Sequence, residues 1–305
     1  MSVNTLVNKI KEKNNPTVAG LDARLEYIPA YVTDKYVAEY GKTLKAAAAS
    51  MLEFNKGLID ALHDIVPAIK PQAAYYELLG PEGAAVLRDT VAYAHEKGMY
   101  VIADIKRNDI GATATAYAQA YLGCSEVCGE SLPVYDCDSC TVNAYLGTDG
   151  INPFLTECQN RDRGIYVLVK TSNKSSGEFQ NKLMGDQPLY VRMAEKVAEW
   201  GAELMTDCGY SQVGAVVGAT YPEEQKIIRQ IIPHSYFLVP GYGAQGATAK
   251  DIANAFNPDG LGAIVNSSRG IMCAWKKTGN NGEDYKEAAR AEAIRMRDDI
   301  VNAIK

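Results

Sequence analysis

Short apolar runs alternate with longer amphipathic stretches along the whole chain. After an amphipathic lead-in helix within residues 1–15, Thr17-Val18-Ala19-Gly20-Leu21-Asp22 reads as a first strand that ends on an acid. Thr33 to Ile65 is long and helix-favouring, with AAAAS at its middle, and Val66 to Lys70 is a second strand stopped by Pro71. Pro81 opens a helix that runs to Lys97 and is closed by Gly98. The third strand begins at Tyr100-Val101-Ile102, and Ile110 to Leu122 is the helix after it. An irregular piece from Gly123 to Asp138 precedes a fourth strand, Cys140 to Tyr145, and a helix near Asn152 to Asn160. The fifth strand is Ile165 to Lys170, followed by a polar loop, TSNKSSGEFQNK, and a helix from Pro188 to Trp200. Val213 to Ala219, Tyr236 to Pro240 and Leu261 to Ser267 are the sixth, seventh and eighth strands. Pro222 opens the helix between the first two of these, another runs through Phe256, and the last spans Tyr285 to Ile304.

Strand then helix, repeated eight times, is the count of a (β/α)₈ TIM barrel of the α/β class. No compositional break or low-complexity linker divides the chain, so residues 1–305 are expected to form a single domain. Several expected strands finish on polar groups: Asp22, Lys70, Asp104 with Lys106, Asn143, Lys170 and Asn266. In a barrel such ends meet at one mouth, where active sites lie. Side chains on a strand alternate, so Asp104 and Lys106 are expected to project together, while Asp109 lies past the strand and points elsewhere.

Composition narrows the function without naming it. A net charge of −6 offers no global basic field for nucleic acid. No apolar run approaches the roughly 18 residues of a membrane span, and residues 1–15 lack the apolar core of a signal peptide. Seven cysteines, an odd number, point to reduced thiols in the cytoplasm. Cys124, Cys128, Cys137 and Cys140 have spacing that would suit zinc only if four thiolates converged, and free thiols are the default. His63, His95 and His234 are scattered, with neither ligand spacing nor an evident partner. Gly241, Gly243 and Gly246 match G-x-G-x-x-G, but a single further strand is too little for a dinucleotide-binding sheet. Phosphate binding by the loops after the last two strands is the commoner use in a barrel, with Arg269 adding a fork of donors.

Asp104-Ile105-Lys106-Arg107-Asn108-Asp109-Ile110 with Thr113 resembles the D-x-K-x-x-D-I-x-x-T signature of orotidine 5′-phosphate decarboxylases. The resemblance covers nearly the whole chain: Asp22 and Lys70 at strand ends, Ser172 in KTSN, Gly243-Ala244-Gln245-Gly246, and Ser268-Arg269-Gly270. Length, KRNDI and KTSN are similar to the longer, type 2 branch, although Lys174 stands where proline would be expected.

The resemblance implies decarboxylation of orotidine 5′-monophosphate to uridine 5′-monophosphate, with no cofactor and no metal. Lys106 would be the acid, Asp104 would lie against the substrate carboxylate, and Lys70 would orient Asp104. Asp22 would contact the ribose, Ser172 the pyrimidine, and Gln245, Arg269 and Gly270 the phosphate. Asp109, with Ile110 and Thr113, would reach into the neighbouring site of a homodimer. Two rivals share features of the pattern. A magnesium-dependent sugar-phosphate decarboxylase of the same suprafamily carries a glutamate ligand where this chain has Lys70, which would repel the cation. A non-catalytic phosphate-binding barrel would not need a general acid.

Overall fold

The computed structural model describes residues 3–243 and 246–305. Eight parallel strands close into a barrel in which each pairs with its neighbours in sequence and the first pairs with the last. They are β1 (Thr17–Leu21), β2 (Ala68–Pro71), β3 (Tyr100–Arg107), β4 (Ser139–Val142), β5 (Gly164–Lys170), β6 (Ser211–Val217), β7 (Ser235–Val239) and β8 (Ala263–Ser267). Strand-period alternation divides their side chains between two cores. Outward residues such as Val101, Ala103, Val167 and Val239 pack under the surrounding helices. Inward residues, Val18, Ala68, Tyr100, Ile102, Tyr166, Tyr236 and Ile264 among them, fill the barrel. The lead-in helix, Val3–Lys13, lays Val3, Leu6, Val7 and Ile10 against that inner core. The helix thus covers the barrel at one end, and a cavity opens at the carboxyl ends of the strands.

Three stretches differ from the sequence expectation. Thr33 to Ile65 is two helices, Ala30–Tyr40 and Leu44–Leu62. Gly41, at φ +68°, ends the first, and the Thr43 side chain accepts from the Ala46 amide to cap the second. The stop at Gly41 and the cap at Thr43 prevail locally over the helix-favouring alanine run that follows. Gly123 to Asp138 contains an antiparallel hairpin, Cys124–Val127 with Glu130–Pro133, turned through Cys128 and Gly129 at positive φ. A small hairpin, Leu183–Met184 with Gln187–Pro188, precedes the helix Leu189–Gly201.

Candidate active site

The barrel mouth opens into a cavity of about 560 Å³. Its floor is built by charged side chains from neighbouring strand ends. Gly20 pairs with Lys70 across β1 and β2, which sets Asp22 and Lys70 side by side. The Lys70 ammonium donates to Asp104 Oδ2 at 2.8 Å and stands 3.6 Å from Asp22 Oδ1. The Lys106 ammonium donates to the other oxygen, Asp104 Oδ1. Gln72 Nε2 donates to Asp104 Oδ2 at 2.9 Å, and Thr141 Oγ1 to Oδ1 at 2.8 Å. Asp104 therefore sits at the centre of a row of alternating charge: Lys106, Asp104, Lys70, Asp22.

Burial and charge pull these groups in opposite directions. Burial alone would raise the Asp104 carboxyl, but the ammonium groups of Lys70 and Lys106 outweigh it and hold it well below the ordinary carboxylate value. Burial alone would lower Lys70, and the charges of Asp104 and Asp22 instead hold it above its ordinary value. Both are ionised at neutral pH. Lys106 differs in access: its side chain is 43% exposed, against 4% for Lys70. One ammonium is locked into the floor and the other faces the space a ligand would fill.

The expected geometry of Lys106 is right in outcome and wrong in cause. Simple alternation does not bring it beside Asp104. The β3–β4 register shifts between Ala103 and Arg107, and Lys106 adopts φ +48°, the left-handed region that side chains rarely occupy. A second shift, in the β5–β6 register, precedes Lys170. That side chain is fully buried outside the cavity lining, donating to Asn181 Oδ1 at 2.6 Å and lying 4.3 Å over the Tyr221 ring. Asn143 is also absent from the lining, so the strand-end residues that reach it are Asp22, Lys70, Asp104, Lys106 and Asn266.

Leu168, Val216 and Leu238 form an apolar wall of the cavity, with Ser172 on the loop above it. Its other end holds Gly241, Tyr242, Ser267, Ser268 and Arg269. Gly270 lines an adjoining cleft with Arg269, Lys276, Lys277 and Arg295. Gly241, Gly243 and Gly246 all have positive φ, a conformation glycine adopts without strain, and the absence of a side chain at each lets backbone approach a ligand's anionic group. Gln245 lies outside the described residues. Asp22 Oδ1 and Asn266 Oδ1 are buried and accept no hydrogen bond from the described residues, and Asp22 Oδ1 faces the Lys70 ammonium. The arrangement can hold an anion at one end, a flat group on the apolar wall, and a proton donor at the other end.

Asp109, Ile110 and Thr113 do not join the cavity of their own chain. The Asp109 carboxylate accepts from the Ile110 amide at 2.8 Å, and Ile110 and Thr113 are exposed. Gln72 and Thr141 line the cavity without having been expected there, and Asn266 lines it as the polar end of β8. The polar strand end flagged Asn266, whereas neutral Gln72 and Thr141 carried no signal apart from their closeness to strand ends. His95, expected without a partner, contacts Asp138 Oδ2 at 2.9 Å far from the cavity. All seven cysteines are free thiols, and among the described residues no group of three His, Cys, Asp or Glu side chains could hold a metal ion.

The family model for the orotidine 5′-phosphate decarboxylase / HUMPS family matches residues 47–281. The orotidine 5′-phosphate decarboxylase of Rhodopirellula baltica is 43% identical over 288 residues, 93% of each chain. That of Caldicellulosiruptor bescii is 40% identical over 299 residues, 98% of this chain and 97% of its own. Among solved structures, Leishmania donovani OMP decarboxylase superposes with a TM-score of 0.72 at 30% identity, covering 97% of this chain and 99% of the other.

Proposed function

The chain belongs to the orotidine 5′-phosphate decarboxylase family, and from that premise we propose how its residues divide the work. The reaction removes CO₂ from orotidine 5′-monophosphate and yields uridine 5′-monophosphate in pyrimidine biosynthesis. A carbanion must form at a ring carbon, so the site needs a preorganised field and a proton. The observation that carries the assignment is the Lys106 ammonium, held on Asp104 yet exposed to the cavity. Lys106 stabilises the developing charge and then protonates the carbon that has lost CO₂. Asp104, kept ionised by Lys70 and Lys106, lies against the departing carboxylate. Lys70, with two carboxylate neighbours, fixes Asp104 and remains charged.

Substrate binding follows the polarity of the cavity. The pyrimidine rests on Leu168, Val216 and Leu238 under Ser172, Asp22 accepts from the ribose, and Arg269 with Gly270 and Gln245 receives the phosphate. Binding energy at the phosphate end, remote from the reacting carbon, helps to organise the charged end. No step calls on a cofactor or a metal. One barrel domain over residues 1–305 carries the site, and seven free thiols suit a reducing cytoplasm.

We also infer a homodimer with shared sites. Asp109, Ile110 and Thr113 lie outside their own chain's cavity, and exposed Ile110, Tyr145 and Leu146 offer apolar surface close by. The closeness comes from Gly150, where an added Cβ would meet both Asp109 and Leu146. In a two-fold dimer the same patch is given and received, so Asp109 would complete the partner's row of charges.

Two experiments test these assignments. Purified protein with orotidine 5′-monophosphate, followed by ultraviolet absorbance with and without chelator, should show equal turnover in both; loss with chelator would point to the metal-dependent rival. Lys106→Ala and Asp109→Ala homodimers, each inactive alone, should complement when subunits exchange. A mixed dimer has one site lacking both groups and one intact site, so random exchange restores roughly a quarter of full activity. Heterodimers that form, as shown by two distinguishable tags, yet stay inactive would place Asp109 in its own chain's site.

A further inference from the structure

The interior of a barrel is filled by default with branched apolar side chains, and a hydroxyl there is costly unless it is fully used. Thr141, 1% exposed on β4, is such a hydroxyl. Its Oγ1 donates to Asp104 Oδ1 at 2.8 Å and accepts from the amides of Ile105 at 2.9 Å and Lys106 at 3.0 Å. All three partners lie on consecutive residues of the neighbouring strand. This is unlike the usual buried threonine, which bonds back to its own segment.

The register explains why the hydroxyl is needed. Ala103 pairs with Cys140 and Arg107 with Val142, so four steps along β3 run against two along β4. Residues 104 to 106 thus bulge opposite Thr141 alone. Two amides of that bulge would face a ladder with no carbonyl in phase, and the threonine oxygen receives both. The same bulge holds Lys106 at φ +48°. Such a conformation persists only where its surroundings enforce it.

We propose that Thr141 is a positioning residue for the decarboxylation, fixing Asp104 and Lys106 relative to each other through one oxygen atom. The inference rests on the reading of Lys106 as proton donor. Thr141 bonds to Asp104 and to the Ile105 and Lys106 amides, and acts by setting where those two charges stand. Loss of the hydroxyl frees the bulge to relax, and Lys106 drifts from the geometry that the transition state requires.

The test compares Thr141→Val, of similar shape without the hydroxyl, and Thr141→Ala with Thr141→Ser, which keeps it. Lys106→Ala serves as the control for the underlying reading. Misplacement on the scale of an ångström costs about a hundredfold in rate, so Thr141→Val and Thr141→Ala should lose roughly ten- to a hundredfold in kcat. Affinity for uridine 5′-monophosphate, which has no departing group, should stay within about threefold, because uniform binding is untouched. Thr141→Ser should return kcat to within about threefold of the parent, since serine keeps the shared hydroxyl oxygen. If Thr141→Val does not fold, Thr141→Ala against Thr141→Ser carries the same comparison. Retained kcat in the Val and Ala variants beside an inactive Lys106→Ala would overturn the positioning role. So would a serine variant as impaired as valine, or a kcat loss matched by equal loss of product affinity, which would signal general loosening. An active Lys106→Ala would instead remove the proton-donor reading on which the proposal stands.

Discussion

Two carboxylates are buried in this barrel, at opposite ends, and they are treated differently. Asp138, at the entry to β4, is closed on every side. It accepts from the Val101 amide at 2.8 Å, contacts His95 Nε2 at 2.9 Å, and pairs with Arg163 at 3.4 Å. Its own backbone continues the ladder, accepting from the Gly164 amide and donating to Val101 O. Asp138 ties β3, β4, β5 and a surrounding helix together and borders none of the larger cavities. Asp104, at the far end of β3, is equally well supplied with donors, but one of them, Lys106, also faces the cavity. A buried charge that only stabilises has its partners turned inward. A buried charge that works leaves one partner free to meet a ligand.

Substitutions at the two ends should therefore separate rate from stability. Lys106→Ala should lower kcat by about a thousandfold or more, since a proton donor and a stabilising charge are both lost. Its melting temperature should stay close to the parent, because a half-exposed lysine contributes little packing. A mutant of near-parental turnover would erase the contrast by making Lys106 merely another partner of Asp104. Asp138→Ala should do the opposite: a loss of about 3–5 kcal/mol in unfolding free energy, from a cation and an amide left buried without their acceptor. Denaturant unfolding measures that loss, and kcat of the folded fraction should hold. A fall in kcat without one in stability would show that the two ends are coupled.

Smaller effects refine the comparison within the mouth itself. Arg269→Ala should weaken phosphorylated ligands more than the bare nucleoside by roughly ten- to a hundredfold, the worth of a charged hydrogen bond. Titration calorimetry with uridine and its 5′-monophosphate reads this directly, and equal losses for the two would take Arg269 out of phosphate binding. The smallest expected effect is with pH. Asp104 has a lowered carboxyl, so the stability from its ion pairs is present above the ordinary value of 3.8 and is lost as pH falls through the lowered one. Lys70 is raised, so its contribution is present below the ordinary 10.5 and is lost as pH rises through the raised value. Between about pH 5 and 9 the pair should titrate in neither kcat nor melting temperature. An inflection in that window that vanishes in Asp104→Asn would show a less tightly coupled pair.

Much of this was open to inspection before any folding. The eight alternations, the order of strands and the identity of the charged groups at their ends are local features. Strand period, proline and glycine stops and residue type each speak for a few neighbours at a time, and here they agree. Asp22, Lys70, Asp104, Lys106 and Arg269 were recognisable by type and place and Ser172 through the family resemblance, and the barrel brings all six to one cavity. What local pattern mispredicted were the breaks at Gly41 and Thr43 and the hairpin at Cys128-Gly129, where a few residues with turn chemistry override their surroundings.

Side-chain direction at the strand ends was decided elsewhere. Alternation assigns Lys170 to the barrel interior as firmly as Leu168, yet a register shift in the β5–β6 ladder precedes it and its ammonium lies on Tyr221, outside the cavity lining. Alternation also joins Lys106 to Asp104, but the pairing depends on a bulge and a positive φ that a residue on the adjacent strand secures. Neither shift is written in β3 or β5 alone, because register is a property of two strands and of the hydroxyls and amides that meet between them. The sequence by itself determined the barrel and its chemical inventory. Only the closed sheet decided which charges enter the mouth, since that depends on hydrogen-bond partners more than 30 residues away along the chain.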